Sequence, residues 1–275
     1  MLYVCPTPIG NLEDITLRVL RVLQEVDLIL AEDTRRTGQL LRHFQIARPV
    51  ESLHEHNERE KTERILDRLQ QGQNIALVSD AGTPGISDPG GFLIRAVIEA
   101  GLPLEVLPGA NAALLGFLQS GLLSPGFLFF GFLPSRRAER LRELEKLKGL
   151  TYPIIFYEAP HRLQSMLADV LAVFGDRRAS ISRELTKKFE ETKRGTLSEL
   201  LGFFAEHKPR GEFVVTVAGA EEEAEDKNED DILLALQRLL AAGLSRKSAV
   251  NQVSEEYRLP KNYVYDLALR LTVED

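Results

Sequence analysis

The stretch VSDAGTPGISDPGG, residues 78–91, separates an apolar run from a segment with helical periodicity. The run IALV (75–78) is typical of a buried strand, and FLIRAVIEAG (92–101) is typical of an amphipathic helix. Between them, four glycines, two prolines and two aspartates are more than a simple strand-to-helix turn needs. Because open α/β sheets bind ligands outside the carboxyl ends of their strands, we predict a ligand-binding loop here.

The segments on either side of this loop predict the fold class. From LYVC (2–5) to PGANAALLGFLQSG (108–121), continuous apolar strands alternate with amphipathic helices, which is typical of a mostly parallel sheet covered on both faces. The sequence LLSPGFLFFGFLPS (122–135) interrupts this alternation, and the segments beyond it contain more strand and fewer helices. We therefore predict an α/β protein with a mostly parallel N-terminal sheet and a second domain built on a mixed sheet.

Composition and charge divide the chain further. Residues 221–231, EEEAEDKNEDD, are too acidic and too poor in apolar residues to pack, so they predict a linker. We expect α/β domains at 1–120 and 121–220, the acidic linker at 221–231, and a small all-helical appendage at 232–275. The net charge of −7 comes from the linker, because the rest of the chain is formally neutral.

Cysteine usage and hydropathy predict the compartment. The single cysteine, Cys5, excludes an internal disulfide and favours a reducing environment. The N-terminus has no signal pattern, and no apolar run approaches the roughly 20 residues of a membrane span. We therefore expect a cytoplasmic protein without membrane association. Basic clusters at 135–149 and 177–194 could steer a polyanion, although paired charges on a solvated helix face explain the first equally well.

The glycine-rich loop lacks the signatures of phosphate sites. Neither G-x-G nor G-K-[ST] occurs in the chain, which excludes the dinucleotide fingerprint and the P-loop. Asp88 can cap a helix that begins at Pro89, whereas Asp80 has no such structural role. A carboxylate and bare backbone suit a polar ligand that carries positive charge, so we expect Asp80 and Gly85 to contact one. A tight loop that needs glycine only for packing is the alternative.

Seven motifs, in order along the chain, carry a family resemblance. They are TPIGNLEDIT (7–16), AEDTR (31–35), SLHEHNE (52–58), SDAGTPGISDPG (79–90), PGANA (108–112), FYEAPHR (156–162) and GEFVVTVAG (211–219). Together they resemble the small-subunit ribosomal RNA methyltransferases of the tetrapyrrole-methylase-like superfamily. The last helical segment is similar to that family's helix-turn-helix extension. Seven ordered motifs are a specific signal, whereas any one of them alone would be weak.

The resemblance implies a two-domain tetrapyrrole-methylase-like fold with S-adenosylmethionine bound between its α/β domains. It implies a homodimer, and as acceptor the 2′-hydroxyl of a cytidine in small-subunit ribosomal RNA, either naked or in an assembled subunit. The positions that it assigns to the cofactor are Ile9, Thr83, Ile86, Asn111, Ala112 and Glu158, with Arg183, Glu184 and Phe213 as less specific matches. Tetrapyrrole enzymes commonly have an acid where this chain has Thr83, which argues against a porphyrinoid acceptor.

The implied chemistry needs a base or a cation near the ribose hydroxyl, which is a very weak acid. The candidates are Asp33, Arg35, His54, Glu55, His56, Glu158, His161 and Lys187, and the sequence favours no single one. We interpret Arg35 and Arg36, beside a strand end, as phosphate contacts, with salt-bridge partners as the alternative. The motif HEH (54–56) lacks the further ligands that a metal needs, so we expect no metal site.

Two other functions remain open on the sequence: a methyltransferase of the same fold acting on a small tetrapyrrole, and an RNA-binding or assembly module without activity. The apolar run SGLLSPGFLFFGFLP (120–134) predicts a homodimer interface, unless its phenylalanines belong to a core strand. The C-terminal segment predicts three short helices, with the first ending near Gly243, Ser245 capping the second and Pro260 opening the third. Its lysines and tyrosines suit RNA contact, and a bundle that only stabilises the dimer is the alternative.

Overall fold

The computed structural model describes residues 1–221, 229–257 and 259–271. The chain forms two compact units, Met1–Gly219 and Ala220–Asp275. The first unit contains two five-stranded sheets, and the second contains only helices among its described residues. No helix in the described parts of the chain is long and apolar enough to cross a membrane.

The first sheet is parallel throughout, as the sequence predicts. Its strand order is β3-β2-β4-β1-β5. The strands are β1 (Leu2–Val4), β2 (Leu28–Ala31), β3 (Val50–Ser52), β4 (Ile75–Val78) and β5 (Leu104–Val106). The helices that follow them are α1 (Leu17–Glu25), α2 (Thr34–His43), α3 (Glu58–Gln70), α4 (Gly91–Glu99) and α5 (Ala112–Ser120). Separate apolar clusters cover the two faces of the sheet, which explains why β2 and β4 are fully buried.

The second sheet is mixed, which confirms the fold class predicted from the sequence. Its strands are β6 (Leu128–Phe132), β7 (Ile154–Glu158), β8 (Arg178–Arg183), β9 (Glu191–Thr196) and β10 (Phe213–Val217). They are ordered β6-β7-β10-β8-β9, with β6 parallel to β7 and the other neighbours antiparallel. Its helices are α6 (Arg137–Leu147), α7 (Leu163–Phe174) and α8 (Leu197–Glu206).

Helix α5 packs on the second sheet, although it follows the last strand of the first. Its residues Ala113 and Phe117 share an apolar cluster with Ile155 on β7 and Val214 on β10. The approach is close, because a Cβ added at Gly116 would lie 2.5 Å from Val214 Cγ1. A glycine at this position therefore lets the helix backbone sit directly on the sheet.

The second unit consists of α9 (Glu229–Ala241), α10 (Arg246–Glu256) and α11 (Lys261–Arg270) around an apolar core of its own. Ser245 caps α10 by accepting from the backbone N–H of Ser248, and Pro260 precedes α11. The three helices therefore match the sequence prediction. Within the predicted acidic linker, residues 222–228 lie outside the described residues, and Glu229, Asp230 and Asp231 form the first turn of α9.

Candidate active site

A cavity of about 330 Å³ lies where the loop after β4 meets the second sheet, within the first unit. The loop after β4, the start of α5, the end of β7, the turn after β8 and the start of β10 contribute to its wall. The lining residues are Ile9, Ala81, Gly82, Thr83, Ile86, Ser87, Asp88, Asn111, Ala112, Phe132, Tyr157, Glu158, Ala159, Pro160, Glu184, Leu185, Lys187, Glu212, Phe213 and Val214. The cavity falls within the size range of small-molecule sites, roughly 300–1,000 Å³.

The loop after β4 is held by backbone pairing with the segment after β1. The N–H of Thr7 donates to the carbonyl of Gly82 at 2.8 Å, and the N–H of Gly82 donates back to Thr7 at 3.0 Å. Gly82 takes a φ of +85°, a conformation that costs glycine little and other residues more. This pairing places the loop backbone, rather than a large side chain, against the cavity.

The far end of the loop is capped differently from the sequence prediction. Helix α4 begins at Gly91 rather than Pro89, and its N-cap residue, Gly90, has no capping side chain. Instead Glu58, a buried residue at the start of α3, accepts from the N–H groups of Gly90 and Leu93 at 3.1 and 2.9 Å through Oε1. The prediction that Asp88 caps this helix is therefore wrong. Asp88 lines the cavity instead.

The start of α5 forms the next part of the wall. Asn111 caps this helix, its Oδ1 accepting from the N–H groups of Ala113 and Leu114. The hydroxyl oxygen of Tyr157 also accepts from the N–H of Ala113, at 3.0 Å. Burial raises the pKa of Tyr157 to about 12, so the phenol remains protonated at neutral pH. These bonds fix the position at which α5 enters the cavity.

Glu158, at the end of β7, is the most buried charged residue in the wall. Its Oε1 accepts from the N–H of Ala159 at 2.9 Å and lies 3.2 Å from Nε of Arg162. Its Oε2 is buried and has no hydrogen-bond partner among the described residues. Burial raises the pKa of Glu158, while the Ala159 N–H and the Arg162 charge oppose that rise. A buried acceptor of this kind needs a donor, which an ordered water or a ligand can supply.

The turn after β8 supplies a paired lysine. Lys187 Nζ lies 3.1 Å from Oε1 of Glu184 and 3.2 Å from Oε2 of Glu212. Burial lowers the pKa of Lys187, but the two carboxylates raise it more, so the amine is a cation. Glu184 itself adopts a φ of +52°, a conformation that non-glycine residues rarely hold without a functional or structural constraint.

Asp88 is half-buried in a strongly negative part of the site. Burial, together with the charges of Glu32 and Asp80, raises the pKa of Asp88 to about 6, although a hydrogen bond from Ser79 opposes this rise. Burial and the charge of Asp80 also raise the pKa of Glu32. The three carboxylates come from the ends of β2 and β4 and from the glycine-rich loop, so the fold itself brings them together.

Several residues predicted from the sequence lie outside this cavity. They are Asp33, Arg35, His54, Glu55, His56 and His161 among the candidates for chemistry, and Asp80, Gly85 and Arg183 among those for the cofactor. A Cβ added at Gly85 would face Ile94 on α4 at 3.1 Å, away from the lining. Arg183 pairs with Glu191 at 2.7 Å. The other predicted cofactor residues and Lys187 line the cavity.

A second cavity, of about 460 Å³, lies beside α2 and is lined by Arg36, but not by Asp33 or Arg35. Asp33 caps α2 and pairs with Arg35, while Asp80 accepts from the N–H of Asp33 at 3.0 Å and lies 3.3 Å from Arg36. Arg36, Asp80 and His43 line this cavity together with residues of the segment after β1. The loop after β4 lines both cavities: Ser79 and Asp80 line the second, and residues from Ala81 to Asp88 line the first.

The histidines of the HEH motif have local partners. His54 Nε2 lies 3.0 Å from Nδ2 of Asn57, and the rings of His54 and His56 are 6.0 Å apart. Among the described residues, no group of three or more His, Cys, Asp and Glu side chains is arranged to hold a metal ion.

Sequence reasoning missed Asp88, Tyr157, Phe132 and Glu212 as cavity residues. Tyr157 and Glu212 stand inside motifs that were already singled out, directly beside Glu158 and Phe213. Tyr157 and Glu158 both line the cavity, at the end of β7. Asp88 was assigned to a capping role that Glu58 performs.

Comparison with known proteins identifies the family. Residues 1–201 match the family of tetrapyrrole (corrin/porphyrin) methylases. The chain belongs to this family. The chain is 46% identical over its whole length to a ribosomal RNA small subunit methyltransferase I of Synechocystis sp., and the match covers 99% of that protein. It is 44% identical to the protein of the same name in Bacillus subtilis, over 97% of this chain and 93% of that one.

Several solved structures have the same fold as this chain. The methyltransferase CobJ superposes with a TM-score of 0.60 at 18% identity, over 80% of this chain and 94% of its own. Uroporphyrin-III C-methyltransferase from Thermus thermophilus, complexed with S-adenyl homocysteine, gives a TM-score of 0.55 at 17% identity, over 78% and 96% of the two chains. These identities are too low to carry more than the fold.

Proposed function

We propose that this protein transfers a methyl group from S-adenosylmethionine to the ribose 2′-hydroxyl of a cytidine in small-subunit ribosomal RNA. Its full-length relatives are named as methyltransferases of that RNA. The observation that carries the proposal is the cavity at the carboxyl edge of the parallel sheet, with the unpartnered Oε2 of Glu158 in its wall. Open α/β sheets bind their ligands at this edge.

The charges of the cavity fit S-adenosylmethionine better than a phosphorylated ligand. Asp88, Glu158, Glu184 and Glu212 face one cation, Lys187, which is already paired with two of them. Such a negative wall favours a ligand that carries ammonium and sulfonium charges and no phosphate. When bound, S-adenosylmethionine supplies an electrophilic methyl group on a positively charged sulfur.

Different residues of the cavity wall suit different parts of S-adenosylmethionine. The side chains of Ile9, Ile86 and Val214 form apolar wall, which suits the uncharged parts of the cofactor. Glu158 Oε2 accepts a hydrogen bond from a ligand hydroxyl or amine, and the backbone around Gly82 approaches the ligand closely. Preorganised contacts of this kind accelerate methyl transfer mainly by holding acceptor and donor in line.

The exposed face of α2 suits the phosphates of the RNA. Arg36, Gln39 and His43 are three or four residues apart and line the second cavity, while Arg35 and Arg42 are exposed beside them. Leu41 of the same helix packs into the core of the first sheet. We propose that the exposed face of α2 positions the RNA backbone next to the methyl-transfer cavity, since the two cavities share the loop after β4.

The proposal extends to the partners and the compartment. The substrate is the small-subunit RNA, free or in an assembled subunit, and the enzyme works as a homodimer in the cytoplasm. The buried, single Cys5 is compatible with a reducing compartment.

The deciding experiment is transfer of a labelled methyl group from S-adenosylmethionine to small ribosomal subunits from cells that lack this enzyme, followed by nucleoside analysis. Label in 2′-O-methylcytidine is the expected result. Label in a base, or no label in either naked RNA or subunits, contradicts the proposal. A parallel reaction with a uroporphyrinogen acceptor tests the small tetrapyrrole alternative.

A further inference from the structure

Asp88 does not perform the capping role that its place before α4 predicts, and its side chain interacts with the Ser79 hydroxyl instead. Its expected partner, the N-terminus of α4, is served by Glu58, which accepts from the N–H groups of Gly90 and Leu93. The carboxylate of Asp88 instead lines the methyl-transfer cavity on the loop after β4. A carboxylate placed in a cavity beside other carboxylates raises the electrostatic energy of the fold, so its presence there indicates a functional role.

Lys187, Glu184 and Tyr157, which also line the cavity, are less suited to accept a proton, because each is either ion-paired or already protonated. Lys187 is a cation held by Glu184 and Glu212. Glu184 Oε1 also accepts from the N–H of Glu212 at 3.2 Å. The pKa of Tyr157, about 12, keeps its phenol protonated.

Glu158 differs from Asp88 in its partners and its exposure. It is buried, and its Oε1 lies 3.2 Å from Nε of Arg162, whose charge opposes the rise that burial causes in the pKa of Glu158. Its free oxygen is therefore suited to accepting a lasting hydrogen bond from the cofactor. Asp88 is only partly buried and is not ion-paired among the described residues, so a proton can reach it and leave it again.

The surroundings of Asp88 increase its basicity. The groups whose charges or dipoles act on it are Glu32 after β2, Ser79 and Asp80 after β4, Tyr157 on β7 and Glu212 before β10. Burial and the carboxylates raise the pKa of Asp88 to about 6, while the Ser79 hydroxyl opposes them. At neutral pH the group is thus mostly ionised and is a stronger base than an ordinary aspartate.

We propose that Asp88 is the general base of the methyl transfer, a role that rests on the proposed function. As the ribose 2′-oxygen attacks the methyl carbon, its O–H bond breaks and the proton passes to a carboxylate oxygen of Asp88. The electron pair left on the ribose 2′-oxygen forms the new O–C bond. The C–S bond breaks with its pair remaining on sulfur, which becomes a neutral thioether. Water then removes the proton from Asp88.

The test is Asp88→Asn, which keeps the shape and removes the base. Single-turnover methylation of the RNA should slow by about 10²- to 10⁴-fold, the usual contribution of a general base. The dissociation constant of S-adenosylmethionine, measured by calorimetry, should stay within about threefold, well under 1 kcal/mol by the usual conversion. Glu158→Gln should do the reverse, weakening cofactor binding.

The pH profile provides a readout that a merely structural role would not move. The wild-type rate should rise with pH through the pKa of Asp88, about 6, because only the ionised carboxylate accepts a proton. The rising limb should disappear in Asp88→Asn. In the matched control Asp80→Asn, which removes a neighbouring charge outside the cavity, the limb should remain and move to lower pH. Carboxyl carbon NMR of aspartate-labelled protein should show one titration near this value, absent from Asp88→Asn.

Three outcomes would overturn the assignment. One is an Asp88→Asn enzyme with a wild-type rate and pH limb. Another is a variant that loses cofactor affinity in proportion to its rate, which would make Asp88 a cofactor ligand. The third is an aspartate spectrum without a shifted titration. If the wild-type protein itself methylates no RNA, the proposed function fails and the NMR titration still reports on Asp88.

Discussion

At the scale of single residues, Gly82 both adopts a left-handed backbone conformation and lines the proposed cofactor cavity. It has a φ of +85° and lines the cavity, and a Cβ there would lie at ordinary contact distances, 3.4 Å from Ile9 and 3.6 Å from the Ala110 carbonyl. Gly82→Ala therefore strains the backbone without a severe clash. We expect about 1 kcal/mol of lost stability and, because moving the loop relieves part of that strain, up to about fivefold weaker binding of S-adenosylmethionine.

Gly72 provides the matched control for this prediction. It follows α3 with a φ of +87°, and a Cβ there would meet nothing within 4 Å. Gly72→Ala should lose a similar amount of stability in urea unfolding and retain full cofactor affinity in calorimetry. Equal affinities for the two variants would show that the Gly82 backbone does not form the cofactor site.

At the scale of elements, the contact between α3 and α4 anchors the glycine-rich loop. Glu58→Ala leaves the N–H groups of Gly90 and Leu93 without their acceptor. An unsatisfied buried donor costs about 1–3 kcal/mol, and we expect a loss of that size in urea unfolding together with weaker cofactor binding. Glu60→Ala, an exposed acid in the same first turn of α3, should change neither. A Glu58 variant as stable as the Glu60 variant would contradict this anchoring role.

The same contact shows why sequence patterns predicted the elements better than the site. Periodicity and breakers are local signals, and they placed the parallel sheet, the mixed sheet and the three C-terminal helices. Glu58 and Gly90 are 32 residues apart, and no local capping rule connects them. Motif order likewise did not reveal that α2 and the cofactor residues lie around different cavities. Arg36 and Thr83 both follow strands of one sheet, yet Arg36 lines the second cavity and Thr83 lines the first.

At the scale of the whole molecule, the second unit is expected to serve the RNA and not the cofactor. The first unit contains the complete cavity, and the second has its own core, in which Leu267 is buried while Tyr263 and Tyr265 are exposed. A chain ending at residue 220 should bind S-adenosylmethionine normally and methylate subunits with a higher apparent KM. In the full-length protein, Tyr263→Ala with Tyr265→Ala should raise KM without altering the melting temperature. Full activity of the truncated chain would show that these helices are dispensable for RNA.

A homodimer is the second expectation at this scale. Leu114 and Leu118 share an exposed face of α5, and Phe127 stacks within 4.6 Å of Phe117, which brings the apolar segment before β6 against the same helix. Part of the run predicted as an interface forms the edge strand β6, whose Phe130 packs on the core. Exposed apolar surface of this kind favours association.

Light scattering should therefore give a dimer at micromolar concentration. Leu118→Glu, at a side chain 64% exposed, should shift it to monomer, whereas Leu17→Glu, 85% exposed on α1, should not. A monomeric wild-type protein would exclude the interface.

The rate at which the Cys5 thiol is alkylated reports on unfolding of the protein. Cys5 is the chain's single cysteine, fully buried beside β1, and burial raises the pKa of its thiol to about 12. A maleimide needs both access and thiolate, so the native molecule should resist alkylation for as long as the parallel sheet stays closed. The rate of labelling then measures how often that sheet opens, without any engineered reporter. The same inertness allows a cysteine introduced on the surface to carry a fluorophore selectively, with the native thiol left in place.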